Sequence, residues 1–86
     1  MENGTGQLNK FNVGLAAGLT LGLYIFFIGM AAWLVDWGVE TVEIIGTWYR
    51  GYDANFYGSV LGMIWGFIDG FIGGFVFAWI YNKLGR

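Results

Sequence analysis

Residues 58–81 read GSVLGMIWGFIDGFIGGFVFAWIY. These 24 residues contain no proline and one charged side chain, Asp69. A helix of about 20 apolar residues, rising about 1.5 Å per residue, covers the hydrocarbon core of a bilayer, which is about 30 Å thick. The stretch therefore predicts a membrane-spanning helix with one acid near its midpoint.

A second apolar stretch, Val13–Val35, comes earlier and carries no charge over 23 residues. It is longer than the apolar core of a secretory signal, which has about 7–15 residues, so we interpret it as a retained span. The prediction is an all-α membrane protein, folded as an antiparallel hairpin of two transmembrane helices. Its parts are a polar N-terminal tail (1–12), the first span (13–35), an acidic, aromatic-rich loop (36–57), the second span (58–81) and a basic C-terminal tail (82–86).

The composition supports this class and excludes others. Hydrophobic residues make up 57% of the 86 residues and charged residues 12%, which is too little charge for the surface of a small soluble domain. Cysteine and histidine are absent, which removes disulfides and the usual zinc sites. The net charge is −2 without a basic cluster, so we expect no nucleic-acid partner. No nucleophile–base pair or phosphate-binding loop appears, and we expect no catalytic residue, metal or cofactor.

Glycines recur at helical spacing in both spans. Small residues four apart let another helix approach closely in lipid. A four-residue repeat turns by about 40° per step on an α-helix, so we expect the glycines of the second span to face first one neighbour and then another. The predicted packing residues are Gly14, Gly18, Gly22 and Gly29 in the first span and Gly58, Gly62, Gly66, Gly70, Gly73 and Gly74 in the second.

Asp69 is the candidate site. Counted from Gly58 at about 100° per residue, it lies about 20° away, within the glycine face. We therefore expect it to be buried between helices, because a carboxylate at the bilayer centre costs about 2.5–3.5 kcal/mol on insertion scales. Its possible polar partners are Thr20, Tyr24 and Trp65. Two interpretations stay open: a hydrogen bond that fixes the register of the helices, or the lining of a proton or ion pathway.

The loop is predicted to contain a short amphipathic helix in the membrane interface. Val42, Ile45 and Tyr49 would share one side of it, while Glu40 and Glu43 would lie on the other. The partial alternation of polar and apolar residues leaves a β-hairpin as the alternative. Tryptophans and tyrosines near the ends of the spans are predicted interfacial anchors: Trp33, Trp37, Trp48, Tyr49, Trp79 and Tyr81.

Basic residues indicate the orientation. Lys10, Lys83 and Arg86 lie in or next to the tails, whereas the loop holds only Arg50. Because basic residues concentrate on the cytoplasmic side, both termini are predicted to be cytoplasmic.

Two segments carry a resemblance to a known family: KFNVGLAAGLTLGLY (10–24) and TWYRGYDANFYGSVLGMIWGFIDGFIGGFVFAWIYN (47–82). Together they resemble a family of short two-span prokaryotic membrane proteins commonly labelled "bacteriophage holin", over about Asn9 to Asn82. Holins are small proteins that oligomerise in the inner membrane and open it. The resemblance implies a membrane-permeabilising homo-oligomer in a bacterial-type inner membrane. The alternative is a non-catalytic accessory subunit that docks onto a larger membrane complex through its glycine faces.

Overall fold

The computed structural model describes residues 7–85, which form three helices: α1 (Lys10–Val35), α2 (Val39–Ile45) and α3 (Phe56–Leu84). The prediction of an all-helical chain with two long apolar helices is confirmed for these residues. α1 begins three residues before the predicted first span, and α3 extends the predicted second span at both ends. The long axis of the molecule measures 47 Å, which exceeds the hydrocarbon thickness of a bilayer.

An asparagine side chain caps the N-terminus of each long helix. The Asn9 side chain accepts a hydrogen bond from the Asn12 N–H at 3.1 Å, and the Asn55 side chain accepts one from the Gly58 N–H at 2.6 Å. Each bond satisfies one of the free N–H groups of a first helical turn. α1 ends where Asp36 adopts a left-handed conformation with φ of 58°. The caps explain why α1 and α3 start outside the purely apolar stretches.

α1 and α3 pack along each other in opposite chain directions. Gly29 lies against Ser59, near the end of α1 and the start of α3, whereas Gly14 lies against Gly74. The contact needs glycine: a Cβ atom at Gly70 would lie 2.6 Å from the Ala17 carbonyl oxygen. Van der Waals packing between such closely spaced backbones is what holds helices together in lipid.

Most of the surface of the two long helices is exposed and apolar. Only 33% of the most apolar window of α1 and 22% of that of α3 are buried. The core helix of a soluble protein would be mostly buried, and an exposed apolar surface of this extent needs a partner or lipid. Both helices are long and apolar enough to cross a membrane, which supports a membrane protein.

The connecting segment, residues 36–55, folds back over one side of the α1–α3 pair. α2 packs on α1, with Val42 at 3% exposed among Ile25, Ile28 and Ala32. Glu40 and Glu43 are exposed on the other side of α2. Residues 39–45 are therefore helical and the β-hairpin alternative is wrong. The apolar side of α2 is covered by protein, and Tyr49 and Tyr52 complete the same buried cluster.

Candidate functional site

Asp69 lies halfway along α3 and is exposed on the surface of the protomer. The expectation that it is buried between the helices is therefore wrong for a single chain. The reason is the drift of the glycine ladder around α3. Gly66 and Gly70, which bracket Asp69 and contact Gly22 and Gly18, lie at about 80° and 120° when counted from Gly58, whereas Asp69 lies at about 20°. At this level along α3, Gly66 and Gly70 make the contact with α1, and Asp69 lies beside that contact and not within it.

The partner of Asp69 comes from the connecting segment. The Tyr49 hydroxyl donates a hydrogen bond of 2.8 Å to Asp69 Oδ2. Tyr49, predicted as an interfacial anchor, is 6% exposed and belongs to the buried cluster. Burial first, and the hydrogen bond and negative charge of Asp69 second, raise the pKa of Tyr49 to about 12. The phenol therefore stays protonated at neutral pH and acts as the donor.

None of the three polar partners expected for Asp69 forms a hydrogen bond with it within residues 7–85. Trp65 donates its Nε1–H to the Arg50 carbonyl oxygen at 2.9 Å, and its ring stacks on Tyr49 with centroids 6.0 Å apart. Thr20 and Tyr24 are exposed on α1. Within residues 7–85, the only hydrogen bond of the carboxylate is the one from Tyr49. Trp65 thus fixes the backbone next to Tyr49 and supports the carboxylate indirectly.

Tyr52 has a buried role that the sequence did not predict. Its hydroxyl donates to the Ile25 carbonyl oxygen at 2.7 Å, and its ring lies in the space left by Gly29 and Gly62. Burial raises the pKa of Tyr52 to about 12. Periodicity could not have indicated this contact, because the loop position of Tyr52 has no helical register with either glycine. Tyr52 anchors the turn that brings Tyr49 to Asp69.

Most of the predicted packing glycines lie at the contacts between elements, and one does not. A Cβ atom at Gly73 would meet nothing within 4 Å, so the prediction that Gly73 packs is wrong within the protomer. The same drift explains it, because Gly74 and not Gly73 faces α1 at that depth. The glycines buried in helix contacts or under the connecting segment are Gly14, Gly18, Gly22, Gly29, Gly58, Gly62, Gly66, Gly70 and Gly74.

The remaining predicted anchors are exposed, four of them near the ends of the molecule and Trp48 in the groove beside Asp69, halfway along α3. Trp33 and Trp37 lie at the end of α1, and Trp48 lies beside Tyr49 in the connecting segment. Trp79 and Tyr81 lie near the opposite end, where the Lys83 ammonium is 5.6 Å from the centroid of the Trp79 ring. Such a cation–π contact suits a membrane–water boundary, where the ring is apolar and the ammonium is wet.

A groove lies next to Asp69 on the surface of the protomer. It has a volume of about 280 Å³ and is lined by Trp48, Tyr49, Trp65, Ile68, Asp69 and Ile72. No group of three or more potential metal ligands occurs within residues 7–85. Comparisons with protein families, with curated proteins and with solved structures found no match to this chain.

Proposed function

We propose that the chain is a two-span integral membrane protein whose copies associate around Asp69 to permeabilise the membrane in a holin-like manner. The transmembrane spans are α1 and α3, folded as an antiparallel hairpin with both termini in the cytoplasm of a bacterial-type cell. The observation that carries the proposal is the exposure of Asp69 among apolar side chains halfway along α3.

The surroundings of the Asp69 carboxylate favour association. A carboxylate at the bilayer centre costs about 2.5–3.5 kcal/mol on insertion scales. The Tyr49 hydroxyl satisfies only part of the hydrogen-bonding capacity of Asp69, because an ionised carboxylate has about four lone-pair sites for hydrogen bonds. Intramembrane acids of this kind face a bundle interior or a water-filled cavity. Association that removes Asp69 from lipid is therefore favoured over an isolated protomer.

The shape of α3 supports association on the same side. Asp69, Gly73 and Val76 are spaced by four and three residues, so they share one side of the helix, here named the Asp69 face. All three are exposed, and Gly73 leaves open space where a neighbouring helix can approach closely. The other packing glycines are already used within the protomer. A ring of such protomers would pack a neighbouring helix against Gly73 and would turn the carboxylates, at the edge of that contact, towards a wet lumen, with the apolar side chains towards lipid.

The experiment is induced expression in a bacterium with a potential-sensitive dye as the readout. The wild-type chain is expected to collapse the membrane potential, and Asp69→Leu is expected to abolish the effect because the lumen loses its polar group. Glu43→Gln, which removes an exposed charge from α2, is the control and should behave as wild type. High expression of the wild-type chain with an intact potential contradicts the proposal.

A second candidate function is a structural subunit of a larger membrane complex. The open space at Gly73 beside an acceptor carboxylate would equally suit a foreign helix that supplies a hydrogen-bond donor. Purification in a mild detergent separates the two functions. Stoichiometric copurification of another membrane protein, lost in Gly73→Leu, supports the subunit; a homo-oligomer of this chain alone supports the permeabilising assembly.

A further inference from the structure

The groove beside Asp69 combines one carboxylate with aromatic walls. Its volume is about 280 Å³, and two of its lining residues, Trp48 and Trp65, are 63% and 41% exposed. Asp69 Oδ2 accepts the hydrogen bond from Tyr49, while the residue as a whole is exposed. The groove is therefore a negatively charged pocket with indole rings at its edge.

We propose that this groove binds a monovalent organic cation, namely an amine or quaternary ammonium compound with an apolar body. The carboxylate supplies the opposite charge, and indole faces attract cations within about 6 Å of the ring centroid. The isoleucines of the groove, Ile68 and Ile72, would contact the apolar body of the ligand.

A divalent metal ion such as Ca²⁺ or Mg²⁺ does not fit the same groove. Hard cations such as Ca²⁺ take six to eight oxygen ligands, and Mg²⁺ holds its waters tightly. The groove offers one carboxylate and one phenol among apolar side chains, and residues 7–85 hold no cluster of metal-ligating groups. An organic cation with an apolar body needs only one counter-charge and an apolar contact surface, both of which the groove provides.

The position of the groove is held by long-range contacts within one chain. The stacking of Tyr49 on Trp65 and the bond from Trp65 to the Arg50 carbonyl fix the aromatic wall against α3. The binding site therefore does not require neighbouring copies, and it goes beyond the proposed permeabilising function. In an oligomer with Asp69 facing a lumen, the same groove would open into the aqueous passage.

The test is a titration of the full chain in detergent micelles with benzyltrimethylammonium, followed by the NMR signals of the indole N–H groups. The chain has five tryptophans, of which only Trp48 and Trp65 line the groove. We expect saturable shifts at these two signals and none at Trp33, Trp37 and Trp79. Equal shifts at all five, which is the result of simple partition into the micelle, overturn the proposal.

Two variants separate the charge from the aromatic wall. Asp69→Asn keeps the size of the side chain and removes its charge, so the Kd should rise by about tenfold or more. Trp48→Ala leaves the bond between Tyr49 and Asp69 intact and should raise the Kd by about threefold to tenfold. Glu43→Gln is the matched control, with a Kd within about twofold of wild type. A wild-type Kd in either groove variant, or an equal loss in Glu43→Gln, overturns the proposal.

The binding result and the permeabilisation result are independent. Binding is measured on the purified chain, whereas permeabilisation is measured in cells. Saturable binding with an intact membrane potential leaves the groove as a ligand site and removes the pore. Permeabilisation without shifts at Trp48 and Trp65 removes the ligand site and leaves the pore.

Discussion

The Tyr49 hydroxyl lies 2.8 Å from Asp69 Oδ2 and joins the connecting segment to the middle of α3, 20 residues further along the chain. At about 1.5 Å per residue, Asp69 lies about 20 Å along α3 from its first residue, Phe56. The segment that precedes α3 therefore runs back along the helix before the chain turns to enter it. Asp69 thus has a structural partner within the protomer, while its exposed side remains available to a neighbour or a ligand.

Replacement of Tyr49 by phenylalanine should loosen this contact without emptying the buried site. Tyr49→Phe keeps the ring that stacks on Trp65 and removes the donor to Asp69, so the free energy of unfolding should fall by about 1–2 kcal/mol. The measurement is denaturation in mixed micelles, followed by circular dichroism. Tyr57→Phe is the control, since Tyr57 is 74% exposed. Equal stability of the Tyr49 variant and the wild type would show that the bond contributes nothing.

The raised pKa of Tyr49 predicts a loss of stability in alkali. The pKa rises from 10.0 to about 12 in the folded chain. Between these values the unfolded chain releases the phenolic proton and the folded chain keeps it, so the unfolded state binds fewer protons. The contribution is fully present below pH 10 and is lost as the pH rises towards 12. The measurement is the free energy of unfolding at about pH 9, 10 and 11, a range in which the loss of stability begins.

Asp69→Asn should lower the pKa of Tyr49, because the negative charge of Asp69 is one of the causes that raise it. Carbon NMR of the labelled Tyr49 ring follows the phenol directly. Tyr52 provides the internal control, because burial and not a carboxylate raises its pKa. A Tyr49 titration that is the same in Asp69→Asn and in the wild type would exclude any influence of the carboxylate.

The sequence was sufficient for the two long helices and insufficient for the surroundings of Asp69. Apolar stretches of more than 20 residues with at most one charge leave few alternatives to a long apolar helix, and the glycine spacing indicated which side would be in contact. A helical projection counted from Gly58 ignores how far along α3 each residue lies. It therefore placed Asp69 and Gly73 in the contact with α1. At their level along the helix, that contact is made by Gly70 and Gly74 instead. The position of Tyr49 depended on contacts between distant parts of the chain, which no local pattern contains.

The glycines of α3 give a direct test of this geometry. A Cβ atom at Gly70 would lie 2.6 Å from the Ala17 carbonyl oxygen and 2.8 Å from Gly18 Cα, so Gly70→Ala should destabilise the protomer by about 1–3 kcal/mol. Gly73→Ala is the matched control, because a Cβ atom there meets nothing within 4 Å. Unfolding in mixed micelles measures both. Destabilisation of the two variants by the same amount would contradict the contact geometry described for α3.

The larger substitution Gly73→Leu should separate folding from assembly. Open space at Gly73 lets the protomer keep its fold, whereas a neighbouring helix on the Asp69 face would be pushed away. We therefore expect an unchanged helix content by circular dichroism and a loss of the oligomer in crosslinking and size-exclusion measurements. An oligomer that survives Gly73→Leu unchanged would place the association surface elsewhere.

The ring of Tyr52 packs directly against Gly62. Gly62 leaves the space that the ring occupies, and the buried Tyr52 hydroxyl donates to the Ile25 carbonyl oxygen at 2.7 Å. Gly62→Ala should push the ring out and release the turn that holds Tyr49, at a cost of about 1–3 kcal/mol. Because Tyr49 would then leave Asp69, its pKa should fall in this variant although position 62 touches neither residue.

Tyr52→Phe is the matched control for that coupling. It removes one hydrogen bond, worth about 1 kcal/mol, and keeps the ring in place, so the Tyr49 titration should stay as in the wild type. Carbon NMR of Tyr49 in both variants decides between the two outcomes. A normal Tyr49 titration in Gly62→Ala would mean that the connecting segment reaches Asp69 without the support of Tyr52.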